Sequence, residues 1–294
     1  MDAWHRVGRI VRLSNLGTLI FFLLNIGVLI GILFPSGAGT EEAILLVICY
    51  LVAILLSLSP IGEWMLAALS GAHEIKRKDV KIRLIPLLKI VFEQATIITP
   101  SIVGSINLKI IYDSSPNAFA IGRKTICVTE GLLSLCDEDI MAVFSHELGH
   151  IAYKHSEIQL LIGGGNFFIA GLLLMVKLFC LAVTALFSIF AINSRNVFLE
   201  IVIAIIGSIS SLSIWLWTKF CMLFLMWSMR QNEFVADEYA FQLGYGSALA
   251  RVLDCEMCSP PDNGLLKALL SSHPNTHDRI AHLQELGVSY SRYA

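Results

Sequence analysis

The chain has 294 residues, of which 56% are hydrophobic and only 15% charged, and its mean hydropathy is +0.72; soluble globular domains carry roughly 25% charged residues. Lys+Arg 21 nearly balances Asp+Glu 23, so the composition argues against a wholly soluble protein, excludes a disordered chain and offers no basic surplus for a nucleic-acid partner. Seven cysteines (Cys49, Cys127, Cys136, Cys180, Cys221, Cys255, Cys258) are an odd count without a disulfide-framework spacing and are expected as reduced, mostly buried thiols.

Residues 16–34 carry no charge, and 43–61 form a second apolar run that ends just before Glu63. Each is long enough to cross about 30 Å of hydrocarbon at roughly 1.5 Å per residue. The loop 35–42 is turn-rich and lacks Lys and Arg, which predicts a transmembrane hairpin. Arg6, Arg9 and Arg12 precede it, and Lys76, Arg77, Lys78, Lys81, Arg83 and Lys89 follow it. Basic flanks are retained in the cytoplasm, so both ends of the hairpin are expected there.

Between the two apolar regions, 108–112, 118–121 and 125–129 are short, β-branched or aromatic, and separated by Asp-Ser-Ser-Pro-Asn and Gly-Arg-Lys turns, the pattern of a small sheet. Asp137-Glu138-Asp139 then places acids where a helix N-terminus favours them, and Ile140, Val143, Phe144 and Leu148 follow at helical spacing.

That helix carries His146-Glu147-Leu148-Gly149-His150. Histidines four apart project from one helix face, so both imidazoles can reach one Zn²⁺ with Glu147 beside the open coordination position. Two histidines need a third ligand. A histidine six residues after His150 is missing, and His155, five residues on, would point away if the helix continued. The alternative is a glutamate on another helix, which Glu233-Phe234-Val235-Ala236-Asp237 supplies. Asp237, one turn later, could accept a hydrogen bond from the far nitrogen of a liganding histidine.

A second apolar region, 158–192 and 197–229, reads as another hairpin, interrupted by Lys177, Glu200 and Lys219. The second of these runs exceeds one perpendicular span, so its end is expected to project from the bilayer, with Trp215, Trp217 and Trp227 near the interface. An even number of spans returns Glu233 to the side of His146 and His150.

The His-Glu-Leu-Gly-His helix, the two hairpins, the Glu-Phe-Val-Ala-Asp segment and Ser272-His273-Pro274 together resemble the HtpX-type membrane zinc metallopeptidases, related to the CAAX prenyl proteases. The resemblance implies one Zn²⁺ per chain held by His146, His150 and Glu233, with Glu147 as general base. It further implies His273 as an oxyanion donor, Arg279 near the metal site, and Asn117-Ala118-Phe119-Ala120 as an edge strand that receives substrate backbone. The chain departs from the family at Asn232, where Arg is usual, and in Ile-Ala-Tyr-Lys-His after His150.

The fold class expected is an α-helical membrane protein, with about four transmembrane helices in two hairpins and a small α+β zincin-type domain. Residues 1–71 form the first hairpin, 72–157 the first part of the catalytic domain, 158–229 the second hairpin and 230–294 the second part. The function expected is hydrolysis of peptide bonds on the cytoplasmic face, in the bacterial inner membrane. The partners are the bilayer and unfolded or membrane polypeptides, as in quality control. A non-catalytic zinc-binding adaptor and a narrow prenyl-protein-type protease are the rivals.

Overall fold

A computed structural model describes residues 16–34, 36–37, 39–102, 104–194, 197–256 and 275–291. Two apolar helices open it, α1 (Leu16–Leu33) and α2 (Thr40–Ser57). At the start of α2 the Gly39 N–H donates to Glu42 Oε2 at 3.1 Å, and Glu41 and Glu42 lie in the first turn, where the helix dipole favours acids. Among the described residues α2 is the one helix long and apolar enough to cross a membrane, with mean hydropathy 2.1; Leu16–Gly31 is a shorter apolar helix. A helix that the sequence pattern does not predict follows, α3 (Pro60–Leu69), with Pro60 at its first position, where a missing N–H costs nothing.

The sheet has four strands, β1 (His73–Glu74), β2 (Asn107–Ile111), β3 (Ala118–Ile121) and β4 (Thr125–Thr129), in the order β1-β2-β4-β3. β4 is central and wholly buried; it runs parallel to β2, with Asn107 opposite Thr125, and antiparallel to β3, with Ile121 opposite Thr125. The β3–β4 turn is taken by Gly122 at φ +58°, a left-handed conformation that glycine adopts without strain. β3 is left at the sheet edge.

Between β1 and β2 runs α4 (Lys78–Ile98), also unforeseen. Val80, Leu84, Leu88, Val91 and Ala95 are buried at helical spacing on its inner side. They meet Ile110, Ile126 and Val128 of the sheet and Ile140, Phe144 and Leu148 of α5 (Asp137–Ala152) in the main core. Val143, expected in this stripe, is only partly buried and turns toward the cleft described below. Arg83 of α4 fixes the start of α5, donating to the Leu133 and Leu135 carbonyls at 2.6 Å each and to Asp137 Oδ1 at 2.9 Å.

The second apolar region folds as two long helices, α6 (His155–Ser194) and α7 (Val197–Gln242). At 1.5 Å per residue they measure about 60 and 70 Å, twice a hydrocarbon core. Positions 157/158 and 229/230, the expected boundaries between hairpin and catalytic domain, both fall inside these unbroken helices. α8 (Gly246–Glu256) and α9 (Thr276–Glu285) complete the described fold, and Asn275 caps α9 by accepting from the His277 N–H at 3.1 Å. Of the cysteines with described side chains, Cys127 is buried as expected; Cys49, Cys136 and Cys255 are free but exposed, on helices and a turn whose core-facing positions others occupy.

Candidate metal centre

Three helices build the site. α5 presents His146 and His150 one turn apart, and α7 presents Glu233 and Asp237 one turn apart on the face toward α5. Their approach is set by Gly149: a methyl group there would lie 3.1 Å from Ala236 Cα and 3.1 Å from Tyr239 Cβ. Any larger residue would wedge the helices apart. α9 adds Arg279, which reaches Asp237 and Glu233 and also lines the cleft.

His146 Nε2 and His150 Nε2 are 3.2 Å apart, His146 Nε2 lies 3.5 Å from Glu233 Oε2, and His150 Nε2 lies 3.6 Å from Glu233 Oε1. An ion with four ligands at about 2.05 Å has tetrahedral edges of about 3.3 Å. The three donors thus outline one face of such a tetrahedron, and two nitrogens with a carboxylate oxygen are a donor set that fits Zn²⁺. Among the described residues they are the group of metal-competent side chains that converges, and all three are buried.

The atoms behind them fix their direction. Asp237 Oδ1 lies 2.9 Å from His146 Nδ1, so the imidazole turns Nε2 inward. Arg279 grips Asp237 with two hydrogen bonds, Nε to Oδ2 at 2.8 Å and Nη2 to Oδ1 at 2.6 Å, and its Nη1 reaches Glu233 Oε2 at 3.1 Å. One buried guanidinium therefore pairs with two buried carboxylates. Burial disfavours charge on Asp237, but Arg279 and His146 outweigh it and hold the carboxyl below its ordinary range. Burial also works against a proton on His146, yet hydrogen bonding to Asp237 and Glu233 pushes its pKa up to about 10. Burial and the charge on His146 push His150 down to about 3. The surroundings thus favour charge on His146 and a neutral His150, and a metal ion coordinated by both rings takes the place of a proton on His146.

His155 lies elsewhere than a continuous helix would put it. α5 ends at Ala152, Lys154 takes φ +64°, and α6 starts afresh at His155. The break returns the His155 ring to the site, where it is buried with Nδ1 3.1 Å from His150 Nδ1. When His150 keeps Nε2 free to coordinate, its Nδ1–H donates to His155. Tyr153 stacks on the His155 ring at 5.9 Å. A left-handed lysine leaves no mark in a single sequence, so this partner could not be read from it.

In front of the donors is a cleft of about 470 Å³. Glu147, buried, lines it beside His146 and Glu233, with Asn117 and Ala118 on one wall and Leu249, Val252 and Leu253 of α8 on the other. Asn117 is fixed to β4: its N–H donates to Thr129 Oγ1 at 2.8 Å, and its carbonyl accepts from the Thr129 N–H at 2.9 Å. Of the remaining edge-strand residues, Ala120 belongs to the main core and Phe119, half-buried, packs toward Ala67, Ile121 and Cys127. His273 lies outside the described residues, as does Cys258.

The profile of peptidase family M48 matches residues 97–287. The protease HtpX homolog of Janthinobacterium sp. (strain Marseille) is 29% identical over 282 residues, covering 86% of this chain and 90% of that protein. The homolog of Sulfurovum sp. (strain NBC37-1) is 33% identical over 210 residues, 61% of this chain and 68% of its own length. The crystal structure of S. mikatae Ste24p superposes with a TM-score of 0.50 at 18% identity, a likeness of fold. It takes in 94% of this chain, which spans 64% of Ste24p. The resemblance to HtpX-type and CAAX-type peptidases read from the motifs is thus met by profile, relatives and fold alike. With the profile running through both donor-bearing helices and Arg279, the chain belongs to peptidase family M48, a family of metal-dependent peptidases.

Proposed function

We propose that the chain is a membrane-embedded zinc endopeptidase with Glu147 as its general base. The observation that carries this reading is the tetrahedral face of His146, His150 and Glu233 with Glu147 beside it in one cleft. When bound there, Zn²⁺ supplies the Lewis acidity that polarises a scissile carbonyl and acidifies water. Glu147 takes a proton from the attacking water and delivers it to the leaving amine. Asp237 and Arg279 act behind the donors, orienting His146 and cancelling the surplus negative charge. The free edge of β3 at Asn117–Ala120 takes an extended substrate backbone as an added strand, which favours unfolded polypeptides. His273 is the proposed donor to the developing oxyanion, by resemblance to the HtpX-type enzymes.

The four apolar helices α1, α2, α6 and α7 are read as transmembrane, with residues 72–157 and 230–294 forming the catalytic domain on the cytoplasmic side. The basic residues flanking the first hairpin support that orientation. Misfolded membrane proteins are the substrate class that follows.

Glu147→Gln tests the reading, because it removes the base and spares all three donors. Cleavage of an unfolded protein by the detergent-purified chain with Zn²⁺ should fall at least about 100-fold, with bound zinc unchanged. Zinc binding without cleavage by either form would favour a non-catalytic adaptor. Failure of both to bind zinc would refute the metal centre.

A further inference from the structure

Helix α3 turns its apolar residues away from the protein. Its inner side is spoken for: Ala67 is buried with Ile121 and Cys127, and Glu63 accepts from the Arg123 backbone N–H at 3.1 Å. Ile61, Trp64, Met65, Ala68 and Leu69, at positions i, i+3, i+4, i+7 and i+8, all face outward; Ile61 is 69% and Leu69 82% exposed. A continuous apolar face of this kind needs a cover.

Several features indicate which cover. The chain enters α3 through Leu58 and Ser59 alone, directly from α2, the helix long and apolar enough to cross a membrane. Ile61, Met65 and Leu69 also wall a groove of about 650 Å³ whose other side is Leu56 of α2 and Gly163 and Gly164 of α6. Apolar surface therefore runs unbroken from the end of α2 onto α3. Trp64 stands on this face, 65% exposed, and indole rings concentrate at the headgroup level. Exposed Lys76, Lys78 and Lys81 follow in the chain and complement anionic headgroups.

We infer that α3 is an interfacial helix whose Ile61–Trp64–Leu69 face is immersed in the surface of the bilayer. Its opposite side holds the β3–β4 turn through Glu63, and β3 leads from that turn to Asn117 at the cleft. Four strand residues span about 13 Å, so the helix sets the cleft roughly one short strand above the lipid. Substrates anchored in the same membrane would then be cut close to their point of emergence.

The inference rests on the reading of α2 as a span, and one experiment separates the two. Spin labels are placed at Leu51→Cys, Ile61→Cys and Leu69→Cys, one at a time, in the full chain with its natural cysteines replaced by alanine. The protein is reconstituted in phosphatidylcholine–phosphatidylglycerol vesicles, and accessibility to oxygen and to a water-soluble nickel chelate is compared. The expected result is a deep lipid position for 51 and shallow, oxygen-accessible positions for 61 and 69. Lipid at 51 with water at 61 and 69 overturns the inference, as does occlusion of 61 and 69 from both reagents, the mark of a second protein copy. Water at 51 removes the span beneath it. If the cysteine-free chain does not fold, quenching by brominated lipid gives the same answer. Trp64→Phe should lower the quenched fraction of the native chain, and an unchanged fraction overturns the inference.

Discussion

Around the cleft, His146, Glu233, Asp237 and Arg279 are charged or polar and almost fully buried, each within reach of an opposite partner. Along α2 and α3 the pattern is reversed: Leu45, Leu55, Leu56, Ile61 and Leu69 are large, apolar and exposed. The first region obeys the rule that buried charge must be paired. The second obeys the hydrophobic effect only if something other than water covers it, the role proposed above for the bilayer. One chain thus follows two solvation rules, and α6, which carries His155 at the site and packs on α2, is where they meet.

Substitutions can break this contrast, and the largest effect belongs to the buried charges. Arg279→Leu strands two carboxylates that share one guanidinium, so thermal unfolding in detergent should show a loss of about 3–5 kcal/mol, as for other buried pairs broken on one side. Loss below about 1 kcal/mol would mean that water reaches Asp237 and Glu233. Next comes His155→Phe, which takes the acceptor from His150 Nδ1; zinc affinity measured by competition with a chelator should fall about tenfold or more. His155→Asn, which restores an acceptor, should recover most of it. The smallest effect sharpens the comparison by glycines. Gly149→Ala must push against Ala236 and Tyr239 and should cost about 1–3 kcal/mol. At Gly163, on α6, an added methyl group would meet nothing within 4 Å, and replacement by Ala should leave the melting temperature unchanged.

How far the site could be read in advance differs from residue to residue. His146, Glu147 and His150 are legible because their chemistry and the helical period coincide in one short motif. Glu233 and Asp237 are legible because their helical spacing supplies a third donor and its partner, and the even number of crossings expected from the apolar runs would bring them to the side of His146 and His150. Arg279 is reached by resemblance alone; its grip on Asp237 is a contact across 42 residues that no local pattern encodes. Strands β2, β3 and β4 follow from β-branched runs between turns, displaced by one residue at β2, observed as Asn107–Ile111 against 108–112. α4 escapes notice because Pro86 and exposed Ile82, Ile85, Ile90 and Ile97 obscure its inner stripe. α3 escapes because its apolar residues continue the hydrophobic run of α2, and only the fold shows that they turn outward.

The continuity of α7 has a mechanical side. Glu233 rides on the same rod that crosses the apolar region, about 30 Å beyond its middle if that lies near residue 213. A tilt of about 2° about that point would carry the carboxylate about 1 Å, a misplacement sufficient to cost an enzyme about 100-fold. Since helices tilt to match bilayer thickness, the spanning role proposed for α7 would make the thickness of the host membrane a dial on the geometry of the metal centre.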